Sequence, residues 1–339
     1  MTAPEVKTYF FTDQVRLPLV MERSASADLA SAVGWLASHR PEIAARLRET
    51  GAILFRNFPV VDATDFETFA TALDSKIMQY KAGTSDRERV SGNVHTSTSM
   101  PAYFKLALHH EMAYRKKSPD GIFFFCAKAP LWGGETTIAD GRKIFRELSE
   151  AVREKFTQQP VRFERKLLNA ASPRRWYLKL SRAFRMMSWQ RVFKTDEPKQ
   201  VEEILKAQGY EFEWSKRGDL NFWNDLNPVT AHPETREPIW FRPVHFFHFS
   251  ARVYGRFFYS LARMVSLFTR RPLPRLRFAD GSAVEERDLN AVVDVLESNE
   301  VYFKWKTGDV LYLDNRMVAH GRNRYFGARE ILVLMTGEG

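Results

Sequence analysis

Strand-like segments divided by short polar turns recur near both ends of this chain, and a long stretch of mostly helical pattern lies between them. Residues 52–58 and Gly121–Lys128 (GIFFFCAK) read as strands in the first part. Residues 301–305, Val310–Asp314 and Glu330–Thr336 read as strands near the C-terminus. Strand backbones need partners for their N–H and C=O groups, so segments this far apart are expected to complete one core together. The expected class is mainly β with helical inserts (α+β), in a single domain over residues 1–339. Its core would come from about 50–140 and 300–339, around a basic helical insert at about 141–299. Helices are expected over 26–48, over Ala63–Leu73 after Asp62, over 142–156 and over 197–208. Trp132-Gly133-Gly134-Glu135 reads as a turn.

Composition restricts the setting of such a fold. Hydrophobic residues make up 44% of the chain and charged residues 27%, which excludes disorder over most of its length. Cys126 is the one cysteine, so no intrachain disulfide demands an oxidising compartment. MTAPEVKTYFF lacks the basic region and apolar run of a secretory signal, and no uncharged apolar stretch is long enough to span a membrane. A cytoplasmic protein with no transmembrane segment is expected.

The formal net charge of +10 is unevenly placed. Residues 162–194 hold ten Lys or Arg against one Glu, and 246–279 hold seven Arg and no acid, so the remainder is net acidic. Localised charge of this kind suits an acidic partner; solvated Arg-rich helices without a partner are the plain alternative. Nucleic acid is not expected, because no recognisable binding module accompanies the charge. In residues 251–268 (ARVYGRFFYSLARMVSLF), helical spacing gathers Val253, Phe257, Leu261, Met264, Val265 and Phe268. Packing of that stripe on the core is expected, with peripheral membrane contact as an alternative that requires the aromatic residues to stay exposed.

Candidate metal ligands are few. On a strand, residues i and i+2 share a face, so His-x-Glu can offer an imidazole and a carboxylate to one ion. His109-His110-Glu111 has this spacing behind an apolar, strand-like run. His232-Pro233-Glu234 has it too, but its proline and surroundings make it a turn. His245 and His248 lie among phenylalanines and suit packing or substrate lining. His320, after Asp314-Asn315 and before Gly321-Arg322, is the best third ligand, although a loop histidine bonded to the backbone would look the same. Two imidazoles and a carboxylate leave positions open on a non-haem Fe(II), whereas the helical His-Glu-x-x-His of zinc hydrolases is absent. A 2-oxoglutarate cosubstrate also needs a guanidinium for its far carboxylate and gains from a hydroxyl. Arg329 and Thr136 are suitable; each alone would pass for an ordinary surface arginine or strand-start threonine, and the set is what persuades.

At these residues the chain resembles the TauD/TfdA family of Fe(II)/2-oxoglutarate oxygenases, closest to its branch of SyrP-like aspartyl hydroxylases of syringomycin biosynthesis. The matching stretches include LALHHEMAYRKKSPDGIFFFCAKAPLWGGETTIADGR, AHPETREPIWF and WKTGDVLYLDNRMVAHGRNRYFGAREILV. The resemblance implies a double-stranded β-helix, a cupin-like jelly roll. It implies Fe(II) on His109, Glu111 and His320, and 2-oxoglutarate held by Thr136 and Arg329, with Arg322 as the alternative anchor. Such enzymes use O2, convert 2-oxoglutarate to succinate and oxidise a substrate C–H bond. Hydroxylation is the expected outcome, with desaturation or cyclisation on the same chemistry. Halogenases of the superfamily have Gly or Ala where Glu111 stands, so halogenation is not expected. The resemblance also implies a small amino acid or carrier-bound aminoacyl substrate, natural-product biosynthesis and an acidic carrier protein as partner. Ser97, Tyr114, Arg242 and His245 are the candidates for the substrate side. Departures occur at Arg236, where the family has Gly, at Arg242, where it has Asn, and at His110, where the branch has Asn. A non-catalytic jelly-roll protein gripping an acidic partner is the rival expectation.

Overall fold

The computed structural model describes residues 6–24, 28–78, 87–98, 100–171, 188–269 and 273–337. The first part of the chain supplies β1 (Val6–Tyr9), β2 (Leu19–Arg23), β3 (Ala52–Arg56), β4 (Arg89–Ser91), β5 (Val94–Thr96), β6 (Leu106–His109), β7 (Gly121–Lys128), β8 (Trp132–Gly133) and β9 (Thr136–Asp140). The middle holds β10 (Val161–Leu167), β11 (Glu211–Trp214), β12 (Leu220–Leu226), β13 (Val229–Ala231), β14 (Pro238–Trp240) and β15 (Arg277–Phe278). The last part adds β16 (Val301–Tyr302), β17 (Val310–Asp314), β18 (Val318–Arg322), β19 (Tyr325–Phe326) and β20 (Glu330–Thr336).

Two sheets form a jelly roll. The larger runs β1-β2-β3-β17-β7-β20-β5-β4 and the smaller β16-β9-β18-β6. The two ends of the chain interleave: Val310 of β17 stands opposite Phe55 on one side and Phe125 on the other. Alternation along β7 explains its apolar run. Phe123 and Phe125 pack outward with Leu36, Ile43, Phe66 and Phe69 of the helices Leu29–Ser38, Arg40–Thr50 and Ala63–Leu73. Ile122, Phe124 and Cys126 point between the sheets with Ile138, Val318, Leu311 and Val333. A strand covered on both faces has no polar side to show. Arg56 and Asp309, both buried, tie the end of β3 to the turn before β17 through an ion pair of 3.2 Å. Burial still pushes the Asp309 carboxyl above its ordinary range, against the pull of Lys306 N and Arg56.

Several expected elements differ. The helix expected over 26–48 is two, Leu29–Ser38 and Arg40–Thr50, because Pro41 lacks an N–H and fits only a first turn. The helix expected over 142–156 is also two, Gly141–Glu147 and Glu150–Gln158, divided at the extended Leu148 and Ser149. The insert is not simply helical. It contains a sheet of its own, β11-β12-β10-β15, with Val161, Phe163 and Leu167 turned inward. Its described basic residues are largely engaged within the fold. Arg162 pairs with Asp225 at 2.8 Å, Arg165 lies over Tyr114 and Phe222, and Lys166 pairs with Glu164. Residues 172–187, which carry Arg182 and Arg185, lie outside the described residues. Arg236 has φ 63°, the left-handed conformation in which the family's glycine costs nothing and an arginine is strained.

Candidate active site

β6 and β18 are neighbours, with His109 the cross-strand partner of His320. Their rings lie 4.5 Å apart between centroids. Glu111 leaves β6 into a loop held by Asn315. The Asn315 side chain accepts from Glu111 N at 2.7 Å and donates to Glu111 O at 3.1 Å and Pro119 O at 2.8 Å. Asn315 is fully buried, so this grip is shielded from water. One ligand atom each from His109, Glu111 and His320 lies within 4.8 Å of the others, and Glu111 Oε2 is 3.8 Å from His320 Nε2. His109 Nδ1 sits 3.0 Å from Ala107 O, which places the proton there and the lone pair on Nε2. Burial holds the pKa of His109 below its ordinary value and that of His320 well below it. Neutral imidazoles and a carboxylate are the state in which these groups can take a divalent cation.

Arg87 donates to Glu111 Oε2 at 2.6 Å, both side chains being buried. No pattern in the sequence points to it: Arg87 lies in a charged stretch (TSDRERV) with no periodicity. In the sequence Asn315 stands out only as a neighbour of His320.

A second polar group lies at the start of β9. Gly133 and Gly134 have φ of 68° and 71°, and a Cβ on Gly133 would come within 2.2 Å of Arg324 O. This turn lets Arg329 lie close: its Nε donates to Gly134 O at 2.9 Å and its guanidinium stands over Tyr325. Burial, with Arg322 nearby, lowers the Arg329 pKa to about 10. Arg329 makes no ion pair among the described residues, so a carboxylate ligand would be its counter-charge. Thr136, two residues beyond Gly134, is buried and accepts from Trp305 Nε1 at 3.1 Å, leaving its own proton to donate. Both groups fit the far end of 2-oxoglutarate, and the triad fits iron.

A family model described as taurine catabolism dioxygenase TauD, TfdA family, matches residues 16–336. The chain belongs to this family. It is an Fe(II)/2-oxoglutarate-dependent dioxygenase. The dapdiamide synthesis protein DdaC of Enterobacter agglomerans is 28% identical over 302 residues, covering 88% of this chain and 85% of that protein. A clavaminate synthase-like protein of Arabidopsis thaliana is 27% identical over 303 residues, covering 84% and 81%. Among solved structures, PvcB of Pseudomonas aeruginosa, described as an Fe, alpha-ketoglutarate dependent oxygenase from an isonitrile synthetic pathway, shares the fold. The TM-score is 0.54 at 12% identity, with 98% of this chain and 92% of that one covered. AAD-2 in complex with Mn(II) and N-oxalylglycine gives 0.53 at 14% identity, covering 98% and 97%.

Within this TauD/TfdA site, the other sequence candidates divide. Arg322 donates to Met100 O, Pro101 O and Phe104 O at 2.8–2.9 Å, so it clamps the 100–104 loop rather than serving as an anchor for cosubstrate. Arg242 donates through Nε to Asn227 O and through Nη1 to Ala113 O and Arg115 O, so much of its fork holds backbone. Tyr114 is buried in the core beside Phe247. Ser97 follows β5, its N–H donating to Ile331 O on β20. His232, rejected as a ligand, organises its turn through Thr235 N and bonds Asp314 at 2.9 Å.

His245 is buried in a single 3-10 turn, next in sequence to Phe246, whose ring meets His109 edge-on at 5.4 Å. Burial first, then His109, lowers the His245 pKa to about 3. The unfolded chain therefore binds a proton near pH 6.5 that the folded chain refuses until far lower pH. Stability from this group is complete above pH 6.5 and is lost as pH falls toward 3, at up to about 1.4 kcal/mol per pH unit. Urea midpoints at neutral and mildly acid pH should show the loss, and His245→Phe should reduce the slope. An unchanged slope would assign the acid sensitivity to other groups.

Proposed function

We propose that His109, Glu111 and His320 hold the ferrous ion and that Arg329 and Thr136 hold the far carboxylate of 2-oxoglutarate. The observation that carries this reading is the meeting of the three ligand atoms from β6, its following loop and β18. Iron bound there would supply O2-dependent oxidation of a substrate C–H bond, coupled to conversion of 2-oxoglutarate to succinate and CO2. The protein's part is positional. Asn315 fixes the Glu111 backbone, Ala107 O sets the His109 tautomer, and Phe124 and Phe246 keep apolar surface against the imidazoles. A carboxylate at 111 fills the coordination position that a halide would need, which favours hydroxylation.

For the substrate we propose a small amino-acid-like molecule, free or borne on an acidic carrier, in a cytoplasmic biosynthetic pathway. The likeness to a dapdiamide synthesis protein supports the biosynthetic setting. The whole of residues 1–339 would act as one oxygenase domain. The test is succinate release from 2-oxoglutarate by purified protein with Fe(II) and O2, against free amino acids and aminoacylated carrier proteins. Substrate-dependent succinate with a product heavier by one oxygen is expected. Iron binding without 2-oxoglutarate consumption across the set would favour a non-catalytic jelly-roll protein.

A further inference from the structure

The helix Arg256–Thr269 is attached to the fold along one side only. Phe258 packs on Phe104 with ring centroids 4.5 Å apart, and Tyr259 stacks with Phe249. On the other side Phe257, Leu267 and Phe268 are 73%, 73% and 83% exposed, and Met264 is half exposed. No residue of 256–268 is buried. Half of the stripe expected to pack is thus turned to the outside: its Phe257, Met264 and Phe268 form a ridge at helical spacing, while Val253, Leu261 and Val265 are partly covered. Arg256 and Arg263 stand exposed beside that ridge, and neither makes an ion pair among the described residues. Arg252, by contrast, is held by Asp294 and Glu297. No acidic residue occurs anywhere in 246–279 to balance the outer charge.

We infer that this ridge docks on an anionic phospholipid surface. The large apolar side chains of this ridge stand exposed, covered by no other part of the described residues. A bilayer interface accepts such a ridge without shape complementarity, and the flanking guanidiniums can reach lipid phosphates while their stems stay in apolar surroundings. Uncompensated positive charge selects an anionic leaflet over a neutral one. The segment is also close to the metal site. Tyr254 Oη donates to Phe246 O at 2.7 Å, and Phe246 meets His109.

The test is sedimentation of the purified full chain with phosphatidylcholine vesicles, with and without about one-third phosphatidylglycerol. Binding to the anionic vesicles only, weakened by salt, is expected. Phe257→Ser with Leu267→Ser and Phe268→Ser should weaken it about tenfold or more, as should Arg256→Glu with Arg263→Glu. Wild-type Mn(II) affinity in both variants shows that the fold is kept. Absence of binding by the wild type overturns the inference. So does equal binding by the folded variants, or capture of the ridge by an acidic protein with no binding to vesicles.

Discussion

Replacement of His109, Glu111 or His320 by Ala is expected to lower succinate formation about a thousandfold or more, a loss of about 4 kcal/mol of transition-state stabilisation. Metal affinity should fall with it, measured by Mn(II) titration so that binding is read apart from turnover. The three variants should not be equal. Removing the Glu111 carboxylate deletes one ligand and also releases the Arg87 guanidinium from its 2.6 Å partner. A divalent cation would then approach two imidazoles with a buried positive charge close by, so Glu111→Ala should bind metal worst. Metal affinity equal to wild type in any one variant would remove that residue from the ligand set.

Arg329→Ala should raise the KM for 2-oxoglutarate about 10- to 150-fold, the equivalent of a charged hydrogen bond of about 1.5–3 kcal/mol. The rate at saturation should fall far less, since the far carboxylate is a handle and not a reacting group. Arg329→Lys should recover only part of the loss, because an ammonium cannot match a carboxylate with two parallel bonds. Arg322→Ala is the informative contrast. It frees three carbonyls of the 100–104 loop and should reduce thermal stability while leaving the KM near wild type. A large KM effect at 322 with none at 329 would reverse the assignment.

Local chemistry made much of this readable beforehand. Asp62 before 63–73 is a helix cap whose carboxylate accepts from Thr64 N and Asp65 N, and the helix begins where the sequence places it. The unbroken apolar run of β7 announced a strand with both faces covered. His109 and Glu111 do converge, but not by the strand geometry expected of them: β6 ends at His109, and Glu111 is brought round by the loop that Asn315 holds. What the sequence concealed depends on contacts between distant segments. β10 (VRFERKL) reads as a charged stretch, and only its pairing with β12 and β15 shows which residues turn inward. Arg242 and Arg322 are arginines of the right type, but their donors are engaged by carbonyls that no local pattern reveals. Arg87 and Asn315 reach Glu111 from segments with no regular spacing.

The interleaving of β17 and β18 with early strands also has a temporal meaning. A polypeptide emerging from the ribosome presents His109 and Glu111 long before His320, and β6 lacks its partner until then. A copy that stops before β18 lacks His320, and with it one of the three proposed ligands. Oxygen activation, which would injure an unfolded protein and its neighbours, would then be withheld until β17, β18 and β20 have closed the sandwich.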